Sequence, residues 1–433
     1  SPEVPEELKK LLGYRFDEPL WERLNEDVLK DFLRILDEEA RKRIIFTLRM
    51  NRWTEFALKI LRGEKIHDDE ASQIFDEEKL RRIKASAATE RKHVILGEIM
   101  NEQHSLLRDL YDVSLPELED ICNLKTLSLL EIFSEDMQPE YWVKIAEAVA
   151  KEINEGADGI IVAHGTDTMH FTSAALSFML KNLSVPVVLV GSQRSSDRPS
   201  SDAAINLISS ATVAARSDIA EVVVCMHGSS SDEYNLIHRG TRVRKMHTSR
   251  RDTFKTIGDI PLGMVADGKI KMFRNDYRRR SNQRIVTADT KIDPKVVLLY
   301  TYPGMQADLI EHIIDTGYHG IVLAGTGLGH CPKTILPSLE RAIEEGIAVA
   351  MTSQCLYGFV GMNVYERGRD LLKIGVIPCG NMLPEVAYVK LIYVLGHTRD
   401  HEEVKKLMTH SISGEITDRE PYNGYLILQG ELN

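Results

Sequence analysis

The clearest potential for chemistry lies in residues 164–169, which read His-Gly-Thr-Asp-Thr-Met. This segment follows a predicted buried strand and precedes a predicted helix, so Thr166 and Asp167 are expected on the turn between them. A hydroxyl and a carboxylate at such a turn can also cap the helix, a role open to Asp167 or Thr168. Lys245 lies in a basic loop further along the chain. If these groups meet, they could activate a threonine or a water for acyl chemistry by proton transfer.

Two more polar segments accompany the Thr-Asp pair. Residues 134–137 read Ser-Glu-Asp-Met and follow the predicted preceding strand, and residues 191–197 follow the next strand. In open α/β sheets the ligand binds beyond the carboxyl ends of the strands. We therefore expect these segments to surround one site.

The elements that must position these groups show an alternating pattern from about residue 127 onward. Short Val- and Ile-rich runs alternate with amphipathic helices, which indicates strands buried on both faces of a parallel sheet. The predicted strands are residues 159–163, 185–190 and 221–226, and the predicted helices are residues 141–153 and 201–215. The alternation resumes at residues 296–300, 320–324 and 348–351. The expected fold is α/β, a doubly wound domain followed by a smaller carboxy-terminal α/β domain.

The first hundred residues have a different pattern of apolar residues. From about residue 6 to residue 111, apolar residues recur at three- and four-residue spacing, which predicts an all-α region. A run of amphipathic helices without convergent polar groups is more typical of a packing or docking module than of an enzyme. The predicted organisation is a helical module over residues 1–90, an α/β domain over residues 91–285 and a second α/β domain over residues 286–433.

Composition limits the class of protein. The chain has 433 residues, of which 43% are hydrophobic and 27% charged, and it has no apolar run long enough to cross a bilayer. Because no secretory signal pattern begins the sequence, a cytoplasmic location is expected. Five scattered cysteines and fourteen histidines form no metal-binding spacing, so no metal is expected.

The net charge of -11 argues against nonspecific nucleic-acid binding by the whole chain. A local exception is the basic run at residues 239–251, which begins with Arg239 and ends with Arg251, and which is followed by Arg278, Arg279 and Arg280. Solvated loops balanced by acids elsewhere are one interpretation of this run. The other is a phosphate-binding patch that contacts RNA.

The motifs in residues 134–137 and 164–169 resemble those of the bacterial L-asparaginase family. Longer runs resemble one branch of it, the D subunits of archaeal glutamyl-tRNA(Gln) amidotransferases. These runs are residues 191–203, 243–252, 325–330 and 352–358. The resemblance extends from about Leu118 to the end of the chain, and its motifs occur in family order.

The resemblance implies an asparaginase-like fold assembled as a homodimer. It implies glutamine hydrolysis that delivers ammonia to a partner subunit, which holds glutamyl-tRNA(Gln) and uses ATP, so the chain itself needs no cofactor. It also implies that Thr166, Asp167 and Lys245 form a proton relay. Ser134 and Glu135 would hold the α-carboxylate and α-amino groups of the amino-acid substrate.

One family motif is missing. In the family, a Thr-Gly-Gly-Thr-Ile-Ala loop after the first strand supplies a threonine nucleophile, whereas here the predicted strand at residues 92–97 is followed by Glu-Ile-Met-Asn-Glu-Gln-His-Ser at residues 98–105. Two hypotheses follow. Either the relay still hydrolyses an amide, with Thr166, a water or a group such as Ser105 as nucleophile, or the domain is a catalytically silent dimeric scaffold that binds RNA or protein through its helical module.

Overall fold

The computed structural model describes residue 118 and residues 121–194 and 200–425. The predicted helical module and the predicted strand at residues 92–97 lie outside these residues. The described residues belong to one compact unit, which contains two larger sheets. The three predicted domain ranges remain predictions.

Helices and strands alternate along most of the described chain. The helices are α1 (Pro139–Asn154), α2 (Met169–Met179), α3 (Ala203–Arg216), α4 (Asp308–Asp315), α5 (Leu336–Glu344), α6 (Glu366–Lys373), α7 (Pro384–Leu395) and α8 (His401–Thr409). The strands of the amino-terminal lobe are β1 (Ile160–Ala163), β2 (Leu180–Lys181), β3 (Val187–Val190), β4 (Val222–His227), β5 (Asn235–Arg239), β6 (Val243–Lys245), β7 (Phe254–Thr256), β8 (Gly263–Ala266), β9 (Lys269–Met272) and β10 (Thr287–Ala288). Those of the carboxy-terminal lobe are β11 (Val296–Tyr300), β12 (Gly320–Gly325), β13 (Ala348–Ser353) and β14 (Ile377–Pro378).

The first sheet has six strands in the order β1-β3-β4-β5-β8-β9. Strands β1, β3 and β4 are parallel, and β5, β8 and β9 continue the sheet in antiparallel pairs. Alternate residues of β3 serve opposite faces, since Val187 and Leu189 pack with α1 and α2 whereas Val188 packs with α3. The predicted α/β layering is therefore observed, and the turns at residues 164–169 and 191–194 lie at the carboxyl edge of the parallel part.

The second sheet is smaller and entirely parallel, in the order β11-β12-β13-β14. Helices α4, α5 and α6 cover one face, and α7 and α8 cover the other. Helix α7 also packs against α2. The two lobes consequently share one hydrophobic core across α7.

The prediction of a strand directly before Ser134 is wrong. Residues 122–133 have no regular secondary structure, and Ser134–Asp136 form a short 3₁₀ helix. A strand needs hydrogen bonds from a neighbour, and β1 is the edge strand of its sheet within the described part of the chain. Most apolar residues of this segment are accordingly exposed, among them Leu127 and Phe133, whereas Leu130 is partly buried against the core.

Candidate active site

The Thr-Asp turn lies between β1 and α2, at the carboxyl edge of the parallel strands. Thr168 occupies the N-cap position of α2, but its side chain makes no capping hydrogen bond. The Thr168 hydroxyl instead donates to the backbone oxygen of Ser134 at 2.5 Å. The Thr168 side chain therefore does not cap α2. The Asp167 side chain is hydrogen-bonded to Lys245 instead.

Lys245 is the partner of both groups on the turn. Its Nζ donates to Thr166 Oγ1 at 2.8 Å and to Asp167 Oδ1 at 2.5 Å. The lysine side chain is 12% exposed, whereas that of Asp167 is 63% exposed. The structure thus brings together the hydroxyl of Thr166, the carboxylate of Asp167 and the amine of Lys245. Thr166 and Lys245 are 79 positions apart in the sequence.

The Ser-Glu segment sits beside this triad. Ser134 is buried and Glu135 is exposed. A Cβ atom added at Gly165 would lie 2.7 Å from the Ser134 Cβ and 2.8 Å from its Oγ, so glycine is needed for this close approach. Ser134 is therefore held against the turn from two directions, through Gly165 and Thr168.

The loop at residues 191–194 forms another wall of the site. A Cβ atom at Gly191 would lie 2.4 Å from the His164 oxygen and 3.1 Å from Thr166 Cγ2. Buried Asp202 accepts hydrogen bonds from the backbone amides of Gln193 and Arg194. Because Asp202 begins the α3 region, it ties this loop to the helix that covers the opposite face of the sheet.

Polar side chains behind the turn hold it in place. His164 Nε2 lies 2.8 Å from Thr172 Oγ1, and Trp142 Nε1 donates to the same hydroxyl at 3.2 Å. Burial lowers the pKa of His164, opposed by its hydrogen bond to the Gly165 oxygen. A neutral His164 can therefore serve as a fixed hydrogen-bonding support on the α1 and α2 side.

His170 lies at the start of α2 and is buried. Burial, followed by the positive charges of Arg244 and Lys245, lowers the pKa of His170 to about 3. Its ring is consequently neutral at ordinary pH. A neutral ring beside the triad adds no positive charge that would compete with Lys245 for Asp167.

The basic run at residues 239–251 is largely neutralised by acids of the same chain. Four of its arginines form ion pairs, namely Arg239 with Glu221, Arg244 with Glu385, Arg250 with Asp252 and Arg251 with Asp232. Arg242 is fully buried. Of the arginines that follow, Arg279 pairs with Asp218 and Arg280 donates to the Ala214 oxygen. The geometry favours the interpretation of basic residues balanced by acids, and RNA contact stays a prediction.

Sequence reasoning missed the contacts of Arg244, Gly165 and Thr168. Gly165 and Thr168 lie inside the Thr-Asp motif, but their contact with Ser134 depends on how two loops meet. Arg244 was grouped with the basic run, and its partner Glu385 is 141 positions away. The available signal was the alternation of side chains along a strand, which sends Arg244 and Lys245 to opposite faces.

Within the residues described, no group of three or more His, Cys, Asp or Glu side chains could hold a metal ion. Nor does that part of the chain contain a helix long and apolar enough to cross a membrane.

Comparison with known proteins identifies the class of this fold. Residues 100–278 match the family model for the asparaginase amino-terminal domain, and residues 295–408 match that for the glutaminase/asparaginase carboxy-terminal domain. The thermostable L-asparaginase from Thermococcus kodakarensis superimposes with a TM-score of 0.62 at 36% identity, over 68% of this chain and 87% of that chain. A probable cytoplasmic L-asparaginase from Campylobacter jejuni gives 0.61 at 27% identity, over 70% and 94%. The fold is that of the asparaginases.

Sequence relatives define the branch. The D subunit of the glutamyl-tRNA(Gln) amidotransferase from Pyrococcus furiosus is 59% identical over 315 residues, which cover 72% of each chain. The D subunit from Thermococcus kodakarensis is 59% identical over 314 residues, 72% of this chain and 71% of the relative. The chain therefore belongs to the family of glutamyl-tRNA(Gln) amidotransferase D subunits.

Proposed function

We propose that this chain is the glutaminase-type amidohydrolase subunit of a tRNA-dependent amidotransferase. It releases ammonia from glutamine for the conversion of Glu-tRNA(Gln) to Gln-tRNA(Gln). The observation that carries the proposal is the hydrogen-bonded contact of Lys245 with both Thr166 and Asp167. Membership of the D-subunit family supports the choice of glutamine and tRNA chemistry.

The triad supplies the proton transfers that amide hydrolysis needs. Thr166, or a water held beside it, attacks the side-chain carbonyl carbon of glutamine. For this step Lys245 first gives a proton to Asp167, so that its neutral amine takes up the proton of the attacking hydroxyl as the new C–O bond forms. Lys245 then passes that proton to the side-chain nitrogen as the C–N bond breaks, and ammonia leaves. If Thr166 is the nucleophile, a water hydrolyses the acyl ester and releases glutamate.

The surroundings of the triad support substrate binding and charge stabilisation. Thr166 and Asp167 lie just before the amino terminus of α2, where free backbone N–H groups favour negative charge on a developing oxyanion. Ser134 and Glu135 are the proposed contacts for the α-carboxylate and α-amino groups. The buried placement of Ser134 against Gly165 favours a fixed subsite there.

The assembly follows from the same proposal. The ammonia passes to a partner subunit that binds glutamyl-tRNA(Gln) and uses ATP, while this chain needs no cofactor and pairs with a second copy of itself in the cytoplasm.

Ammonia release from glutamine by the purified full-length protein tests the function. Replacing Lys245 with methionine should lower turnover by roughly 10² to 10⁴, the usual contribution of a proton-transfer group. Lys295, an exposed residue preceding β11, provides the matched control, and its replacement with methionine should leave turnover unchanged. Equal turnover in the wild type and the Lys245→Met variant would refute the proposed relay.

The missing glycine-rich loop favours a second candidate function, a catalytically silent binding protein. Residues 98–105 contain neither threonine nor glycine in the place of the family's first nucleophile. On this account the full-length wild type releases no ammonia from glutamine or asparagine, with or without an amidotransferase partner. RNA would instead copurify with it and be lost when the helical module is removed.

A further inference from the structure

The strand that carries Lys245 is too short to hold its own position. Strand β6 has three residues, and among the described residues it pairs with only β7, in a two-stranded sheet. Isolated two-stranded pairs are marginal in water. Packing and side-chain contacts must therefore place Lys245 relative to Thr166.

Arg242 anchors the beginning of this strand. It is fully buried, and its guanidinium donates to the backbone oxygens of Asn381, Glu415 and Gly258 at 2.8 to 3.1 Å. Two of these acceptors belong to the carboxy-terminal lobe. The residue before β6 is thus fixed to the other lobe, two positions ahead of Arg244.

Arg244 makes a second link to that lobe. Its Nη1 donates to Glu385 Oε2 at 2.7 Å, in the first turn of α7. The Glu385 side chain is 3% exposed, and its other oxygen is buried without a hydrogen-bond partner among the described residues. Burial raises the pKa of Glu385, and the charge of Arg244 opposes this rise. Arg244 is therefore the largest source of compensation for this carboxylate, and a backbone hydrogen bond within Glu385 adds to it.

Alternation along β6 sends neighbouring side chains in opposite directions. Arg244 faces α7, and the next residue, Lys245, faces Thr166 and Asp167. We propose that Arg244 and Glu385 form a positioning pair, which holds β6 to the carboxy-terminal lobe so that Lys245 Nζ stays within hydrogen-bonding distance of Thr166. The expected effect on kcat rests on the proposed function, whereas the expected effect on the position of Lys245 does not.

The test compares Glu385→Gln with a matched control at a distant ion pair. Glu221→Gln weakens the Arg239–Glu221 pair, which is similarly shielded, with side chains 9% and 19% exposed. We expect Glu385→Gln to lower kcat by about tenfold or more, because small misplacements of a reacting group are costly. KM should stay within about twofold, since the substrate contacts are untouched. Glu385→Asp should recover part of kcat, and Glu221→Gln should leave both constants unchanged.

A second measurement follows the position of Lys245 without turnover. In a crystal structure of Glu385→Gln, the distance from Lys245 Nζ to Thr166 Oγ1 should exceed about 3.5 Å, beyond direct hydrogen bonding. If Glu385→Gln fails to fold, the double variant Arg244→Ala with Glu385→Ala removes the contact without leaving an unpaired buried charge and should show the same displacement. An unchanged distance in the variant that folds would overturn the proposal, whatever its kcat. A displaced Lys245 with wild-type kcat would overturn its catalytic part, and an inactive wild type would count against the proposed function alone.

Discussion

At the residue scale, the two partners of Lys245 differ in their access to water. Asp167 is largely exposed, so solvent screens its ion pair with Lys245. The hydrogen bond to Thr166 is partly buried and is the better shielded of the two. We infer that Lys245 acts mainly through Thr166, and that Asp167 orients the ammonium from the solvent side.

The sequence was sufficient to nominate these three residues, because a hydroxyl, a carboxylate and a lysine in recognisable motifs suggest one chemistry. It was not sufficient for Arg244. Arg244 matters because it binds Glu385, which is distant in sequence. No local sequence pattern reveals that Glu385 is buried.

His238 provides a residue-scale prediction about pH. It is buried in β5, with Nδ1 2.8 Å from Thr256 Oγ1, and burial followed by the charge of Lys255 lowers its pKa to about 3. Above about pH 7 the ring is neutral in both folded and unfolded states. As the pH falls from about 6.5, His238 binds a proton in the unfolded state but stays neutral in the folded state. The free energy of unfolding therefore decreases progressively toward pH 3.

Replacing His238 with asparagine should therefore flatten the acid side of the stability profile. Between about pH 6 and pH 4 the slope of the unfolding free energy should fall by about 1.4 kcal/mol per pH unit. Urea unfolding at several pH values measures this slope, and His312→Asn at an exposed position of α4 serves as control. An identical slope in wild type and His238→Asn would contradict the assignment.

At the element scale, strands buried on both faces were the most predictable features. The run at residues 296–300 became β11 with the predicted bounds, because continuous apolar residues suit a strand covered by helices on both sides. The antiparallel part of the first sheet and the irregular segment at residues 122–133 were not predictable in the same way. Their structure depends on which neighbours supply hydrogen bonds, and apolar runs do not encode that information.

Loop contacts give the element-scale prediction. Gly191→Ala would place a Cβ atom against the backbone oxygen of His164, which cannot move aside as a flexible side chain can. We expect a loss of about 1 to 3 kcal/mol of stability, as for overpacked sites, with a lower kcat because Thr166 lies on the same side.

Thermal unfolding and glutamine turnover of Gly191→Ala would be compared with those of Gly361→Ala. At Gly361 the nearest atoms to the added Cβ belong to the Leu328 side chain at 3.3 Å, which can shift. Equal stability and turnover in the two variants would show that the close approach at Gly191 is unimportant.

At the scale of the whole described unit, α7 connects the two lobes and carries a fully buried ion pair. Lys390 Nζ lies 2.6 Å from Glu415 Oε1, both side chains are 0% exposed, and Lys390 also donates to the His410 oxygen. Glu415 in turn accepts hydrogen bonds from the backbone amides of Ile412 and Ser413. The pair thus joins α7 to the segment after α8.

Removing one partner of this pair should be costly. Lys390→Met leaves the buried Glu415 carboxylate without its counter-charge and should lower the unfolding free energy by about 3 to 5 kcal/mol. Urea denaturation measures the loss, and the double variant Lys390→Met with Glu415→Gln should recover part of it. A single variant as stable as the wild type would show that Glu415 is compensated by other groups.

The central claim concerns Thr166, and ammonia release from glutamine by the purified full-length chain tests it most directly. Thr166→Ala should lower turnover by roughly a thousandfold or more, as expected when the acting hydroxyl of a hydrolase is removed, whereas Thr166→Ser keeps the hydroxyl and should retain measurable activity. Circular dichroism would verify that all three proteins are folded. Undetectable turnover by the wild type, or equal turnover by the wild type and Thr166→Ala, would contradict the account.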